Sequence, residues 1–264
     1  MKPAERQKRI LAILQAMQTE IRVEALAEML DVSALTIRRD LEELSNRNTI
    51  IRTHGGCLAV GRAALESEYH NKVALNFELK RAIGKRAAEM VEPGQTLLLN
   101  DGSTTFHLAS HLNENGPLSI FTNSIALISV LSNNAEIKLT ILGGEYNDQS
   151  YSLRGSLIER TLEMLHFDIV FLGADAIDSD GRLMVSGSEE ARVTEIMIRS
   201  GERKILLADH TKIGKKGLVS FGSLSDFESW ITTRPPASGH EVSGRSADEL
   251  FGPYRGMTEI VIAE

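Results

Sequence analysis

The 264-residue sequence has few of the features that mark secreted or membrane proteins. Its one cysteine, Cys57, cannot form an internal disulfide, which excludes a disulfide-stapled fold and indicates a reducing compartment. No apolar run approaches the roughly 18 residues that a membrane helix requires. Residues 1–6 are polar and lack the apolar core of a secretory signal. We therefore expect a cytoplasmic protein that has no membrane partner.

The sequence also lacks the positive net charge that is typical of nucleic-acid-binding proteins, since its formal charge is -7. The charge is unevenly distributed. Residues 1–60 contain 9 Lys/Arg and 8 Asp/Glu, so the acidic excess lies in the rest of the chain. An acidic larger domain can coexist with a small DNA-binding domain, so the total charge does not exclude DNA as a partner.

Residues 1–60 have the pattern of a winged helix-turn-helix domain. Apolar residues at helical spacing predict three helices, over residues 4–17, 23–30 and 34–46. Ser33 is a suitable N-cap for the third of these helices. Two short β-like runs, at 50–52 and 57–60, flank a turn and predict a hairpin. Three helices followed by a hairpin form the winged motif.

The rest of the chain alternates between strand and helix patterns. We assign residues 61–75 to a linker and residues 76–264 to an effector-sensing domain. Short apolar runs predict strands over 96–100, 118–122, 137–142, 169–172, 204–208 and 259–263. Helical patterns separate most of them, which predicts an α/β fold with a mostly parallel sheet and helices on both faces. Residues 233–256 contain three of the six prolines and are expected to be irregular.

The third predicted helix has the residue types that a DNA recognition helix needs. Small polar residues at its start can meet base edges or a phosphate, and arginine can bond guanine through two hydrogen bonds. The predicted DNA contacts are Ser33, Ala34, Thr36, Arg38 and Arg39 on the helix, with Arg52 and His54 on the wing. The alternative is a helical hairpin with a solvated basic face, which the N-cap, the spacing and the wing make less favourable.

Three loops that follow predicted strands are rich in small, hydroxyl and amide residues. The carboxyl ends of parallel strands meet at one edge of a sheet, where α/β folds bind ligands. Backbone N–H groups and hydroxyls at the first loop could hold an anion. The candidate effector ligands are Asp101, Gly102, Ser103, Thr104, Thr105, Asn123, Ser124, Gly143 and Gly144. Each loop taken alone could instead be an ordinary strand-to-helix turn.

Taken in order, these motifs resemble the DeoR (GlpR-type) family of transcriptional regulators. In the N-terminal region the resemblance rests on Val32-Ser33, Thr36–Leu41 and Arg52–Gly56. In the second domain it rests on residues 101–105, 122–124, 142–144, 172–175 and 209–212. The resemblance covers about residues 4–232. It implies a sequence-specific repressor of a sugar or sugar-acid catabolic operon, whose partners are operator DNA and a small anionic sugar-type effector.

The second domain also resembles the ribose-5-phosphate isomerase and glucosamine-6-phosphate deaminase superfamily. This resemblance places Asp175 and Lys212 among the ligand-facing groups, although Asp175 could instead cap a turn and Lys212 could be a surface lysine. It also leaves an active phosphosugar isomerase with an accessory N-terminal domain as the alternative function. A recognition helix favours the regulator, and we therefore expect no enzymatic activity.

The sequence contains no motif that predicts a cofactor or a metal. His107 and His111 are four residues apart on a helix but have no obvious third ligand. Residues 178–181 resemble part of a calcium loop, yet Ala176 and Gly187 occupy its end positions, where carboxylates are needed. We expect these segments to be structural.

A single recognition helix reads only a few base pairs, too few to select a site in a genome. We therefore expect a homo-oligomer that contains at least two copies of the chain.

Overall fold

The computed structural model describes residues 3–17, 21–46, 50–52, 56–59, 67–235 and 247–264. His54, one of the predicted DNA contacts, lies outside these ranges, as do residues 61–66 of the predicted linker. None of the described helices is both long and apolar enough to cross a bilayer.

The N-terminal region contains the predicted three helices and a small antiparallel sheet. Its elements are α1 (Pro3–Met17), β1 (Ile21–Arg22), α2 (Val23–Leu30), α3 (Ala34–Asn46), β2 (Ile50–Arg52) and β3 (Gly56–Ala59). The predicted hairpin of β2 and β3 is extended by β1, which pairs with β3 and was not predicted. A Cβ at Gly56 would lie 2.3 Å from the carbonyl oxygen of Ile21, so this pairing requires glycine there. Ile10, Leu14 and Leu41 are fully buried in the core between the helices.

Two helices, rather than one, connect this region to the main sheet. The sequence predicts one helix over residues 69–90, but α4 (Ser67–Ala74) and α5 (Phe77–Ala88) are separated at Asn76, whose φ of 57° is left-handed. The segment 61–75 that we assigned to a linker therefore contains α4. Tyr69 and Val73 of α4 are buried in the core of the larger region, so α4 packs as part of it.

The larger region is an α/β fold built on a seven-stranded sheet in which every neighbouring pair is parallel. Its remaining elements are β4 (Thr96–Leu99), α6 (Ser103–Ala109), β5 (Leu118–Thr122), α7 (Ile128–Leu131), β6 (Ile137–Ile141), β7 (Glu145–Asn147), β8 (Ser152–Arg154), α8 (Ser156–Glu163), β9 (Phe167–Gly173), β10 (Ala176–Ile177), β11 (Arg182–Val185), α9 (Ser188–Arg199), β12 (Gly201–Leu207), β13 (Val219–Ser223), β14 (Ser229–Thr233), α10 (Ala247–Phe251) and β15 (Glu259–Ala263). The sheet order is β15-β14-β12-β9-β4-β5-β6, which confirms the predicted parallel architecture.

The two faces of the sheet carry two separate apolar cores, as predicted. Successive side chains of a strand point to opposite faces. Leu97 and Leu99 of β4 accordingly pack with α4, α5 and α6, whereas Leu98 joins the core beneath α8, α9 and α10. Helices therefore cover both faces, and the carboxyl edge of the sheet is left for the loops.

His107, one of the two histidines singled out from the sequence, has a structural role. His107 is buried in α6, and its Nε2 donates a hydrogen bond to the carbonyl oxygen of Val73 on α4, 3.2 Å away. Burial lowers the pKa of His107 to about 3, so the ring is neutral at physiological pH. The segment that resembles a calcium loop is a turn, because the carboxylate of Asp178 accepts hydrogen bonds from the backbone N–H groups of Asp180 and Arg182.

Candidate functional site

The turn between α2 and α3 has the geometry of a helix-turn-helix motif. Asp31 ends α2 in a left-handed conformation with φ 51°, and the Val32 N–H donates to the carbonyl oxygen of Ala27. Ser33 then caps α3, as predicted, because its Oγ accepts a hydrogen bond of 3.2 Å from the Thr36 N–H. The hydroxyls of Ser33 and Thr36 are also 2.8 Å apart, so these two predicted DNA contacts hydrogen-bond to each other.

The outer face of α3 carries the two predicted arginines. Arg38 and Arg39 are exposed, while Ile37 and Leu41 face the core. Arg38 also lies 3.5 Å from a carboxylate oxygen of Glu24 on α2, and both side chains are more than half exposed. Ala34 is partly exposed at the start of the helix, and Arg52 lies on the wing strand β2. Arg38, Arg39 and Ala34 are accessible to solvent on α3, and the contact of the predicted residues with DNA stays a prediction.

A cleft opens at the carboxyl edge of the main sheet, where β4, β9 and β12 end. Six of the predicted effector ligands line it: Asp101, Gly102, Ser103, Thr104, Asp175 and Lys212. The sequence therefore identified the strand-end part of this cleft.

The loop after β4 is held by Asn100 and Thr105. The side-chain oxygen of Asn100 accepts hydrogen bonds from the N–H groups of Gly102 and Gly173, at 3.2 and 3.1 Å, which ties two adjacent strand ends together. The Thr105 hydroxyl donates to the Asn100 carbonyl at 2.8 Å and is fully buried, so it holds the loop and does not line the cleft. The first N–H groups of α6 have no partner within the helix and face this loop.

Four other predicted ligands are also absent from the cleft wall. Asn123 and Ser124 are buried beneath the β7–β8 hairpin, where the Asn123 side chain donates to the carbonyl oxygen of Leu153 at 3.1 Å. Gly144 packs against the same hairpin, because a Cβ there would lie 2.5 Å from the carbonyl oxygen of Arg154. Gly143 faces Leu157 of α8. These residues seat the hairpin, and the hairpin forms one wall of the cleft.

Several charged residues of the cleft come from elements that sequence motifs did not identify. They are Lys72 on α4, Lys80 on α5, Arg154 on β8 and Glu190 on α9. Lys80 could have been found from its spacing, because it lies three residues from both Phe77 and Ile83 on the buried stripe of α5. The other three lie on partly buried positions that no periodicity distinguishes.

Opposite charges alternate around the cleft. The Lys72 ammonium lies 3.8 Å from the Asp175 carboxylate. Arg154 donates to the Ser150 hydroxyl at 3.1 Å and lies 3.3 Å from Glu189. The Lys80 ammonium donates to the backbone carbonyl of Lys72, at the end of α4.

Burial shifts the proton affinities of the deepest groups. Burial, reinforced by the nearby charge of Lys212, lowers the pKa of Lys80 to about 7. Burial also lowers the pKa of Lys212, against the attraction of Asp175 and Asp209. Burial and the carboxylates of Asp101 and Asp175 raise the pKa of Glu190 to about 8. An anion bound in the cleft would favour the charged form of both lysines.

The α/β region is similar in fold to sugar-phosphate isomerases of known structure. Ribose-5-phosphate isomerase A from Methanocaldococcus jannaschii is 22% identical and matches 53% of this chain and 56% of its own, with a TM-score of 0.40.

The similarity to curated regulators is closer and extends over nearly the whole chain. The HTH-type transcriptional regulator GlpR of Haloferax volcanii is 36% identical over 88% of this chain and 90% of its own length. The glycerol-3-phosphate regulon repressor of Escherichia coli is 30% identical over 89% and 93%. The HTH-type transcriptional repressor GlcR of Bacillus subtilis is 32% identical over 87% and 89%.

Two family models match successive parts of the chain. The DeoR-like helix-turn-helix domain matches residues 6–62, and the DeoR C-terminal sensor domain matches residues 75–234. The order and extent of these matches agree with the two regions of the structure. The chain belongs to the DeoR family of DNA-binding, helix-turn-helix transcriptional regulators.

Proposed function

We propose that this regulator represses an operon for the metabolism of a sugar or sugar derivative, and that a small phosphorylated sugar-type metabolite in the cleft changes its affinity for operator DNA. The observation that carries the proposal is the cleft itself. Four basic side chains line it together with three carboxylates, those of Asp101, Asp175 and Glu190. The glycerol-3-phosphate regulon repressor among the relatives supports a phosphorylated effector.

The residues of the cleft suit the two halves of a sugar phosphate. Lys72, Lys80, Arg154 and Lys212 can neutralise and hydrogen-bond a phosphate or carboxylate group. Ionised carboxylates only accept hydrogen bonds, so they suit the hydroxyl groups of a sugar. An apolar ligand would displace water from these charged groups without replacing its hydrogen bonds, which is costly.

The position of α4 supports a route from the cleft to the DNA-binding region. α4 contributes Tyr69 and Lys72 to the cleft and also contacts β2 of the wing. A ligand that changes the pairing of Lys72 acts on the element that touches the wing. An effector changes DNA affinity only through its different affinity for the free and DNA-bound forms, typically about 1–3 kcal/mol.

The test uses fluorescently labelled promoter DNA of the operon next to the gene, titrated with protein in the presence of a panel of sugar phosphates and sugar acids. Lys212→Ala and Ser103→Ala are expected to keep DNA affinity and to lose the response to the effector. Lys216→Ala is the matched control, because Lys216 is exposed and does not line the cleft. Cleft variants that respond like the wild type would place the effector site elsewhere.

The same panel tests the alternative of an active isomerase. The relatives are named as regulators, which supports a chain that binds its sugar phosphate without converting it. We expect no turnover of any sugar phosphate that changes DNA affinity. Product formation would instead favour an isomerase with an accessory DNA-binding domain.

We further propose that the regulator acts as a homo-oligomer of at least two chains, in the cytoplasm where operator DNA is accessible. The short reach of one recognition helix supports this, since a dimer doubles the number of base pairs read. Sedimentation of the protein with operator DNA is expected to give at least two chains per site. A monomer on a single half-site would contradict the proposal.

A further inference from the structure

The first turn of α3 contains one large apolar side chain that the core does not use. Leu35 is 75% exposed, whereas Ile37 and Leu41 on the buried stripe of the same helix are fully buried. The Ser33 and Thr36 hydroxyls on either side hydrogen-bond to each other and cap the helix. The polar residues of this turn are therefore engaged in forming the helix, and Leu35 is left facing outward.

Leu35 shares a face with the two arginines. Residues three and four apart lie next to each other on a helix surface, so Leu35, Arg38 and Arg39 form one strip, which we call the reading strip. All three side chains are exposed. In a helix-turn-helix protein the N-terminal part of the recognition helix lies closest to the base edges. Leu35 precedes both arginines, so it occupies that part of the strip.

The chemistry of the major groove identifies one partner for such a side chain. Thymine alone presents a methyl group there, while the other exposed base edges are hydrogen-bond donors or acceptors. A leucine set against those polar edges would leave them without partners. Set against a thymine methyl, it buries apolar surface on both sides.

We propose that Leu35 is a specificity-determining residue that packs against the methyl group of a thymine in each operator half-site. This inference rests on the proposed function only in requiring sequence-specific DNA binding, and it is independent of the effector. Each operator half-site then contains a thymine that Leu35 recognises and the arginines do not. Burial of one methyl-sized group contributes about 0.8 kcal/mol, which corresponds to roughly a fourfold change in affinity.

The experiment removes that methyl group without changing any hydrogen bond. The full-length wild-type protein first selects a high-affinity duplex from a random library. That duplex is then resynthesised with deoxyuridine in place of each thymidine in turn, and the dissociation constants are measured. The wild type is expected to lose about fourfold in affinity at one thymine of each half-site.

Two variants locate the effect on the protein. Leu35→Ala is expected to bind the thymine and uracil duplexes equally at that position. Leu218→Ala removes an equally exposed leucine from the α/β region, 79% exposed, and is expected to keep the wild-type profile. The inference is overturned if the wild type binds every uracil duplex unchanged, or if Leu35→Ala keeps the wild-type profile. Selection of no duplex at all would instead remove sequence-specific binding, and with it both the proposed function and this inference.

Discussion

Asp40 follows two exposed arginines in the sequence of α3, yet its side chain faces the interior. It is paired with Arg6 of α1, and the two side chains are 4% and 11% exposed. Gln7 also reaches Asp40 at 3.5 Å. The motif Arg38-Arg39-Asp40 therefore combines two residues on the outer surface with one that fastens α3 to α1.

The first prediction concerns this ion pair. Asp40→Ala removes the carboxylate that pairs with Arg6, so the N-terminal region should lose about 1–3 kcal/mol of stability. Trp230, the one tryptophan, is buried in the α/β region and reports on it separately. In a urea titration, the circular-dichroism transition of the variant should begin at a lower urea concentration, while the tryptophan fluorescence transition should be unchanged. Glu42→Ala, at an exposed position of the same helix, should match the wild type.

The second prediction concerns the protons of the cleft. Under the proposed function, an anionic effector in the cleft would require the charged form of Lys80, whose pKa is about 7 in the folded protein against 10.5 when unperturbed. Effector affinity should therefore fall as the pH rises from 7.5 to 9, by as much as about tenfold per unit. Ionisation of Glu190, whose pKa is about 8, adds negative charge over the same range and acts in the same direction.

Calorimetric titrations at several pH values measure this change in effector affinity. A phosphate monoester is already dianionic above pH 7.5, so its own ionisation does not contribute to the change. Lys80→Met should weaken binding and flatten the pH profile, and Glu190→Gln should remove a smaller part of the slope. A wild-type affinity that is constant between pH 7.5 and 9 would contradict the role of both groups.

The free energy of unfolding depends on pH in the opposite direction to the effector affinity. The unfolded chain binds more protons between pH 7 and 10.5, so the lowered pKa of Lys80 makes unfolding harder as the pH rises through that window.

At the scale of elements, the sequence predicted the segments whose periodicity is long or strongly apolar. Helices α2 and α3 and strands β5 and β15 have the predicted bounds. The two helices bury one apolar face, and the two strands are short apolar runs that pack on both faces of the sheet. Each pattern is visible in the sequence without knowledge of the packing partners. The strand-end half of the cleft could also be predicted, because the carboxyl ends of parallel strands meet at one edge of the sheet.

The elements that were missed depend on contacts distant in sequence. The predicted helix over 124–131 is shortened to α7 because Ser124 pairs with Ser152, and Ile125 donates to the carbonyl oxygen of Tyr151. The hairpin that makes these contacts consists of two three-residue strands, too short to show an alternation. Its Arg154, like Lys72, enters the cleft through tertiary packing and could not be recognised from local sequence.

The third prediction tests the approach of α5 to α6. A Cβ at Gly84 would lie 2.6 Å from backbone atoms of His107 and Leu108, which cannot move as a side chain could. Alanine would favour the helix by about 1 kcal/mol, but the forced separation should cost about 1–3 kcal/mol or more. We expect Gly84→Ala to be destabilising overall, measured by Trp230 fluorescence in urea. Gly143→Ala, whose Cβ would make an ordinary contact of 3.6 Å, should stay within about 0.5 kcal/mol of the wild type.

At the scale of the whole molecule, α4 is the first described element after the wing. It contacts β2 and also supplies cleft residues. Two groups of the cleft hold its C-terminal turn: Asp175 faces the Lys72 ammonium, and Lys80 donates to the Lys72 carbonyl. An anion that binds Lys72 and Lys80 competes with both contacts. Under the proposed function, the pairing of Lys72 would therefore connect effector binding with the position of α4.

The last prediction distinguishes the coupling between effector and DNA from the affinity for effector alone. Coupling between two sites is reciprocal, so operator DNA must change effector affinity by the same factor by which effector changes DNA affinity. Lys72→Ala should weaken effector binding, because the residue lines the cleft, and should also bring that factor towards one. Effector dissociation constants measured with and without saturating operator give the factor directly, whatever the absolute affinity. Asn71→Ala, an exposed neighbour on α4, should keep it. A Lys72→Ala variant that binds effector weakly but keeps the wild-type coupling factor would contradict a route through α4. The effector would then still distinguish the free protein from the DNA-bound protein without the Lys72 side chain.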